Sequence, residues 1–303
     1  MIFTNIPQDE SGWVRALDLA PIPVLQRTID ELARLRENEE RVVARDIARV
    51  LLHDPMFTLR VLRYLETHRR AAQITDITTI EHALMMMGIS PFFARFGDLP
   101  AVEMMLAAKP LALDGLMRVL DRAHHAAMYA RDWAVFRHDV RADEVAIAAL
   151  LHDISDMLIW CFAPELALRI DAMLQAEASL RSSVAQLKVL GFKLSTLQAA
   201  LIAEWKLAAM LQTLMDDTHA KQVRAVNVAL AVNLARHSAR GWDNPALPDD
   251  YAEIQRFLRL PQPEVLSRIR SSAVQAASGA DWYHRESVLI PTDLENPAAG
   301  IQD

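Results

Sequence analysis

The chain has 303 residues, 52% hydrophobic and 23% charged, a globular mixture with enough apolar material for one large core or two modest ones. Its 32 basic and 39 acidic side chains leave a formal charge of −7, so no general attraction to nucleic acid or anionic lipid is expected. Only 8 glycines are present, too few for many hairpin turns or phosphate-cradling loops, and the scarcity favours helices joined by short turns.

Residues 1–20 read as a lead-in containing Pro7, with a short helical pattern from Trp13 to Leu19. Pro21-Ile22-Pro23 fixes an extended entry, and Leu25, Ile29, Leu32 and Leu35 recur at helical spacing over Val24–Leu35. A helix over Val42–Leu52 stops at His53-Asp54-Pro55, since Pro55 disfavours the helical conformation at Asp54. The next runs from Phe57 to about His68. Thr79 starts another that stops at Gly88, and Ser90 with Pro91 reads as a further start. Pro110 is read as closing a Met- and Ala-rich block that begins at residue 101. Met85-Met86-Met87 and Met104-Met105 read as core filling, because methionine adapts to irregular gaps, with an adaptable partner surface as the alternative.

Leu113–Phe136 is expected to be a long helix or a pair, and Ala142–Phe162 another with an almost wholly apolar face. Helical patterns follow to about Gln175, over Leu180–Leu190, from a Ser195 cap to Trp205, over Leu207–Met215 and over His219–Arg240. A loop at Trp242–Pro248 precedes Tyr251–Leu260 and Pro263–Ala277. No strand pattern and no internal repeat is found. Cys161 lies in the apolar run Leu158–Phe162, cannot form an intramolecular disulfide and is expected to be a small core hydrophobe in a reducing compartment. No signal peptide is read at the N-terminus, and no apolar segment is read as approaching the ~18 residues that span a bilayer. The expectation is a cytoplasmic protein with no membrane partner.

The sharpest chemical feature is the doublet His152-Asp153 in Ala148-Ala-Leu-Leu-His-Asp-Ile154. A carboxylate in an apolar setting costs several kcal/mol unless it is paired or bound to a metal. With an upstream pair, His124-His125, and further ligands, such a doublet holds divalent cations that activate water for attack on phosphorus. The alternative is structural: a neutral core histidine, and an aspartate bonded to backbone amides or an arginine. His124 and His125 point about 100° apart on a helix, so only one of them faces the core. The arginines Arg60, Arg63, Arg69 and Arg70 form a local basic group that reads as a solvated helix face.

Ala-Leu-Leu-His152-Asp153-Ile-Ser resembles the central signature of the HD phosphohydrolase superfamily, and the front half resembles one branch of it, the HDOD (HD-related output domain) proteins of bacterial signalling. The resemblance is carried by Pro21-Ile-Pro23-Val-Leu25, by Asp46–Leu62 around Asp54-Pro55, by Thr79–Gly88, by Leu190-Gly-Phe192 with Leu197–Trp205, and by Ala231–Ala235. It runs from about residue 20 to about residue 240. Two departures stand out. Ser155 occupies the place of a glycine in the hydrolase motif, and Arg236 or a neighbour stands where the distant aspartate is expected, a cation that would repel a metal. The later segment reads Leu214-Met-Asp-Asp217-Thr-His219 where hydrolases often show further histidines.

The resemblance implies an all-α, two-lobed helical HDOD architecture with a degenerate HD-like second lobe. In sequence order this gives a lead-in at 1–20, an N-terminal lobe at 21–110, an HD-like lobe at 111–240, a helical extension at 241–283 and a polar tail at 284–303. The implied function is a non-catalytic regulatory module of bacterial signal transduction, acting by protein–protein recognition or by ligand-dependent repositioning of its lobes. No cofactor and no metal are expected, and His124, His125, His152 and Asp153 are vestigial ligand positions. The partner is expected to be a protein and not nucleic acid. The alternative is a metal-dependent phosphohydrolase or phosphodiesterase acting on a nucleotide, with manganese, iron or magnesium held in part by those four residues.

Overall fold

The structure is a computed structural model that describes residues 2–68, 79–177, 180–216 and 222–284. These residues are all-helical, with no strand longer than an isolated parallel bridge between Val24 and Ala101. In chain order the helices are α1 Glu10–Leu19, α2 Gln26–Arg36, α3 Ala44–Leu51, α4 Pro55–Thr67, α5 Ile80–Met87, α6 Ile89–Arg95 and α7 Val102–Met105. The long α8, Pro110–Phe136, is followed by α9 Ala142–Leu151, α10 Ile154–Phe162, α11 Pro164–Ala176, α12 Ser182–Leu190, α13 Leu194–Glu204 and α14 Ala209–Leu214. The last three are α15 Val223–Ser238, α16 Leu247–Leu258 and α17 Gln262–Ala277.

Several boundaries differ from the sequence reading for local reasons. Helix α2 starts two residues late because Val24 is occupied elsewhere: its N–H donates to Pro100 O at 2.9 Å and its carbonyl accepts from Val102 N at 2.8 Å. Helix α6 starts at Ile89, so Ser90 lies inside the first turn and is not its cap. Likewise α13 starts at Leu194, with Lys193 and not Ser195 in the cap position. Pro110 opens α8 and does not close a block, since proline lacks the amide hydrogen that a first helical turn leaves unused. The methionine reading is also corrected. Met85 and Met86 are 69% and 52% exposed and Met104 75% exposed, on surface that the core does not need.

The stretch Ala142–Phe162 is long and apolar enough to cross a membrane, contrary to the sequence reading, and 89% of its best window is buried within the protein. It is also not one helix. The chain turns at His152 and Asp153, where Asp153 leaves helical geometry at φ −103° and ψ 26°.

Packing divides the chain into two units that interleave in sequence: Met1–Leu120 with Asp153–Gln212, and Asp121–His152 with Thr213–Asp303. In the first unit, α10 packs on α4, α11 and α13, α3 packs on α2, α4 and α5, and α1 packs on α13. The first twenty residues belong to this core: Trp13 and Leu17 are buried, Phe3 stacks on Phe162 at 5.1 Å, and Trp13 meets Phe192 edge-on at 6.4 Å. Cys161 is fully buried with its Sγ 3.5 Å from Met56 Sδ, and burial pushes its thiol far up, so it is an inert core residue.

In the second unit α15 packs against α9 and α16, and α16 against α17. Its buried aromatic spine runs along α8, with Tyr129 and Trp133 stacked at 6.0 Å. Arg268 of α17 reaches α8 with both an ion pair to Asp132 at 2.8 Å and a stack over the Phe136 ring at 4.2 Å. Trp242, the loop tryptophan, is buried and therefore an anchor.

Candidate functional site

His152 is the C-cap of α9 and is 9% exposed, and Asp153 is the half-buried residue that precedes α10. Asp153's side chain makes no capping bond to that helix. The division between the two units falls between them. Upstream on α8, His124 is buried with its ring 5.9 Å from the Tyr283 ring, while His125 is half-buried with Nδ1 3.0 Å from the Asp121 carbonyl. The two differ in burial, His124 lying inside and His125 only half-buried, as neighbours about 100° apart on a helix do.

Among the described residues no three His, Cys, Asp or Glu side chains converge to hold an ion. Arg236, read as standing near the missing aspartate, is exposed on α15. Asp217 and His219 lie outside the described residues, as do Arg69 and Arg70.

The departure at Ser155 has a structural reason. Its Oγ donates to Leu194 O at 3.0 Å, and its backbone N–H reaches Gln198 Oε1 at 3.4 Å, so α10 is clipped to the start of α13. A glycine here would supply no such hydroxyl. The Ser155 side chain thus makes a helix–helix contact.

The front motifs converge on a second polar centre. Asp54 is fully buried, and its carboxylate accepts from Phe57 N at 2.9 Å, Leu25 N at 2.8 Å and Thr28 Oγ1 at 2.9 Å. One side chain therefore caps α4 and holds the start of α2, joining the Pro-Ile-Pro and Asp-Pro motifs. Burial pushes its carboxyl up to about 6, against the pull of the Leu25 and Phe57 amides and the Thr28 hydroxyl.

The arginines of α4 are not a solvated face. Arg60 donates to the Ile22 carbonyl, and Arg63 pairs with Asp18 while lying 5.0 Å over the Trp205 ring. Trp205 Nε1 donates to the same Asp18 carboxylate at 3.1 Å. The tryptophan of the later motif is thus one wall of a clasp for α1. Sequence reading missed this because its members lie up to 187 positions apart. It also passed over a pocket of about 300 Å³ in the second unit, around Arg137, Asp139 and Arg224. The only local cue there was a pair of charged residues flanking His138.

The described residues thus form an all-helical domain with a His-Asp doublet at a helix junction. The HDOD domain family matches residues 22–221, and the chain belongs to the HDOD family. No functionally curated protein matches it. Among solved structures it is similar to the response regulator MmoQ of Methylococcus capsulatus strain Bath, with a TM-score of 0.62 at 16% identity over 83% of this chain and 98% of that one. It is also similar to a virulence factor of Campylobacter jejuni, with a TM-score of 0.63 at 14% identity over 88% and 98% of the two chains. At such identities the likeness shows the shared fold.

Proposed function

We propose that this chain is a non-catalytic regulatory module of bacterial signal transduction, working in the cytoplasm by binding a protein partner. The observation that carries the reading is the state of the HD positions: a His-Asp doublet at a helix junction, with no group of three His, Cys, Asp or Glu side chains that could hold an ion among the described residues. Membership in the HDOD family supports the signalling assignment. The structural neighbour described as a response regulator agrees with it in fold. The exposed methionines Met85, Met86 and Met104 offer adaptable apolar surface of the kind partner-binding proteins use. Burial of Cys161 and of Ala142–Phe162 accords with a reducing, aqueous compartment.

The deciding experiment measures bound metal in the full chain by mass spectrometry after growth with added manganese and iron, alongside turnover of a chromogenic phosphodiester. The expected outcome is metal well below one ion per chain and no turnover. One ion per chain, lost together with phosphodiester cleavage in the double variant His152→Ala, Asp153→Ala, makes the protein a hydrolase and overturns the reading.

A further inference from the structure

We propose that the second unit carries a recognition pocket for an organic carboxylate that has an N–H donor and an apolar side chain beside it. That is the chemistry shared by a peptide C-terminus and a free acylated amino acid, and it deepens the reading above, on which it rests, by naming what a partner would present. The pocket, of about 300 Å³, lies where the end of α8 meets the first turn of α15 and Phe257 of α16. It is at the small end of ligand sites, the size for a terminal residue or two.

Two arginines line it and differ in their pairing. Arg224 is satisfied: its Nε and Nη2 each donate to Asp139 at 2.6 Å, which also holds the Asp139 carboxyl below the usual carboxylate range. Arg137 is half-buried and has no carboxylate partner among the described residues. Its Nη1 donates to Phe257 O at 2.6 Å and its guanidinium lies 4.7 Å over the Phe257 ring. A guanidinium carries five donors, so Arg137 keeps both charge and hydrogen-bonding capacity for an anion.

Two further features sharpen the chemistry. The sixteen-residue α15 begins at the pocket wall with Val223 and Arg224, has no side-chain cap at Gln222 and no acid in its first turn. The Asp139 carboxylate that Arg224 holds stands beside this end, and its charge is offset by that guanidinium. One turn further in, Asn227 is 2% exposed and lines the pocket. Its Nδ2 donates to Ala130 O at 3.0 Å, while its Oδ1 has no donor among the described residues. A buried acceptor left unpaired calls for an N–H or O–H from a ligand. A bare phosphate answers the cation but leaves the rest unused: Val140, 94% exposed, Val223, 55% exposed, and the Phe257 ring all face a ligand's apolar part. A carboxylate on Arg137 and the helix end, an amide N–H toward Asn227 and an aliphatic side chain on the valines use all three.

The test is calorimetric titration of the full chain with N-acetyl-glycyl-valine, with its C-terminal amide, with inorganic phosphate, and with a decapeptide ending in Gly-Val. The acid is expected to bind at least tenfold more tightly than the amide, and Arg137→Gln to remove that preference. Because Arg137 also holds Phe257, Val140→Asp provides a second variant at an exposed position, and it is expected to weaken the acid at least fivefold by repulsion with the fold unchanged by circular dichroism. A decapeptide that binds more tightly than the dipeptide identifies a protein terminus as the source, and equal affinity identifies a free small acid. Equal binding of acid and amide, tighter binding of phosphate than of the acid, or no binding at all overturns the pocket. Those results leave the metal and turnover measurements standing, so the two readings fail separately.

Discussion

Asp54 takes three donors onto one carboxylate in a site with no solvent contact, and the balance between those donors and burial sets a pH dependence. Its carboxyl is raised from 3.8 to about 6, so the folded chain holds the proton more tightly than the unfolded one. The stability this contributes is complete below 3.8 and is lost as pH rises through about 6, a change of roughly 3 kcal/mol at 1.36 kcal/mol per pH unit. Asp54→Asn removes the titration while keeping the shape, with one amide hydrogen set against a donor. The stability gap between wild type and this variant, read from urea unfolding, should therefore move in the variant's favour by roughly 2 kcal/mol between pH 4 and pH 7. A gap that stays constant, or moves the other way, shows that the three donors outweigh burial. Half of this site was legible in sequence: an aspartate before a proline at a helix start is a local signal. The reach from Asp54 back to Leu25 and Thr28 was not, because nothing local encodes a bond across 29 positions.

At the scale of elements, the contact between α8 and α10 depends on a glycine. A methyl group at Gly115 would stand 2.3 Å from the Trp160 ring, far inside contact distance. Alanine is the better helix former by about 1 kcal/mol, so propensity alone would make Gly115→Ala stabilising. The clash opposes it, and overpacking of a filled core typically costs about 1–3 kcal/mol, more when the obstacle is a rigid indole. We expect a net loss of about 1–2 kcal/mol, seen as a lower melting temperature, with recovery in the double variant Gly115→Ala, Trp160→Leu. A melting temperature at or above that of wild type would show that the indole shifts freely. Composition and periodicity made the helices themselves legible, and Thr79 and Gly88 mark the ends of α5 as read. What they did not reveal was the break at His152-Asp153. An unbroken apolar run reads as one helix whether or not the chain turns in the middle. Ser155 gave no local hint of its role either, because its partners Leu194 and Gln198 come from a helix 39 and 43 positions on.

For the molecule as a whole, packing joins segments that sequence order separates, and the N-terminal twenty residues show the consequence most directly. A stretch with a proline and one short helical pattern reads as a lead-in, since its apolar residues are few and their partners lie elsewhere. In the first unit those residues fill a place in the core. Trp13 and Leu17 are buried, Phe3 N donates to Phe162 O at 2.8 Å, and Asp18 joins Arg63 to Trp205. Truncating a buried tryptophan to alanine costs about 3–5 kcal/mol by lost transfer and cavity terms, against a total stability of about 5–15 kcal/mol for a typical domain. Trp13→Ala should therefore lower the urea midpoint clearly while the chain still folds. Removal of residues 2–20 strips Leu17, Phe3 and the Asp18 clasp as well, and uncovers Phe162, Phe192 and Trp205 together. That chain should lose its cooperative unfolding transition and bind a hydrophobic dye. If the truncated chain instead unfolds cooperatively at the wild-type urea concentration, the segment is an accessory to the fold, and the burial of Trp13 contributes far less than its contacts with α13 and Phe192 require.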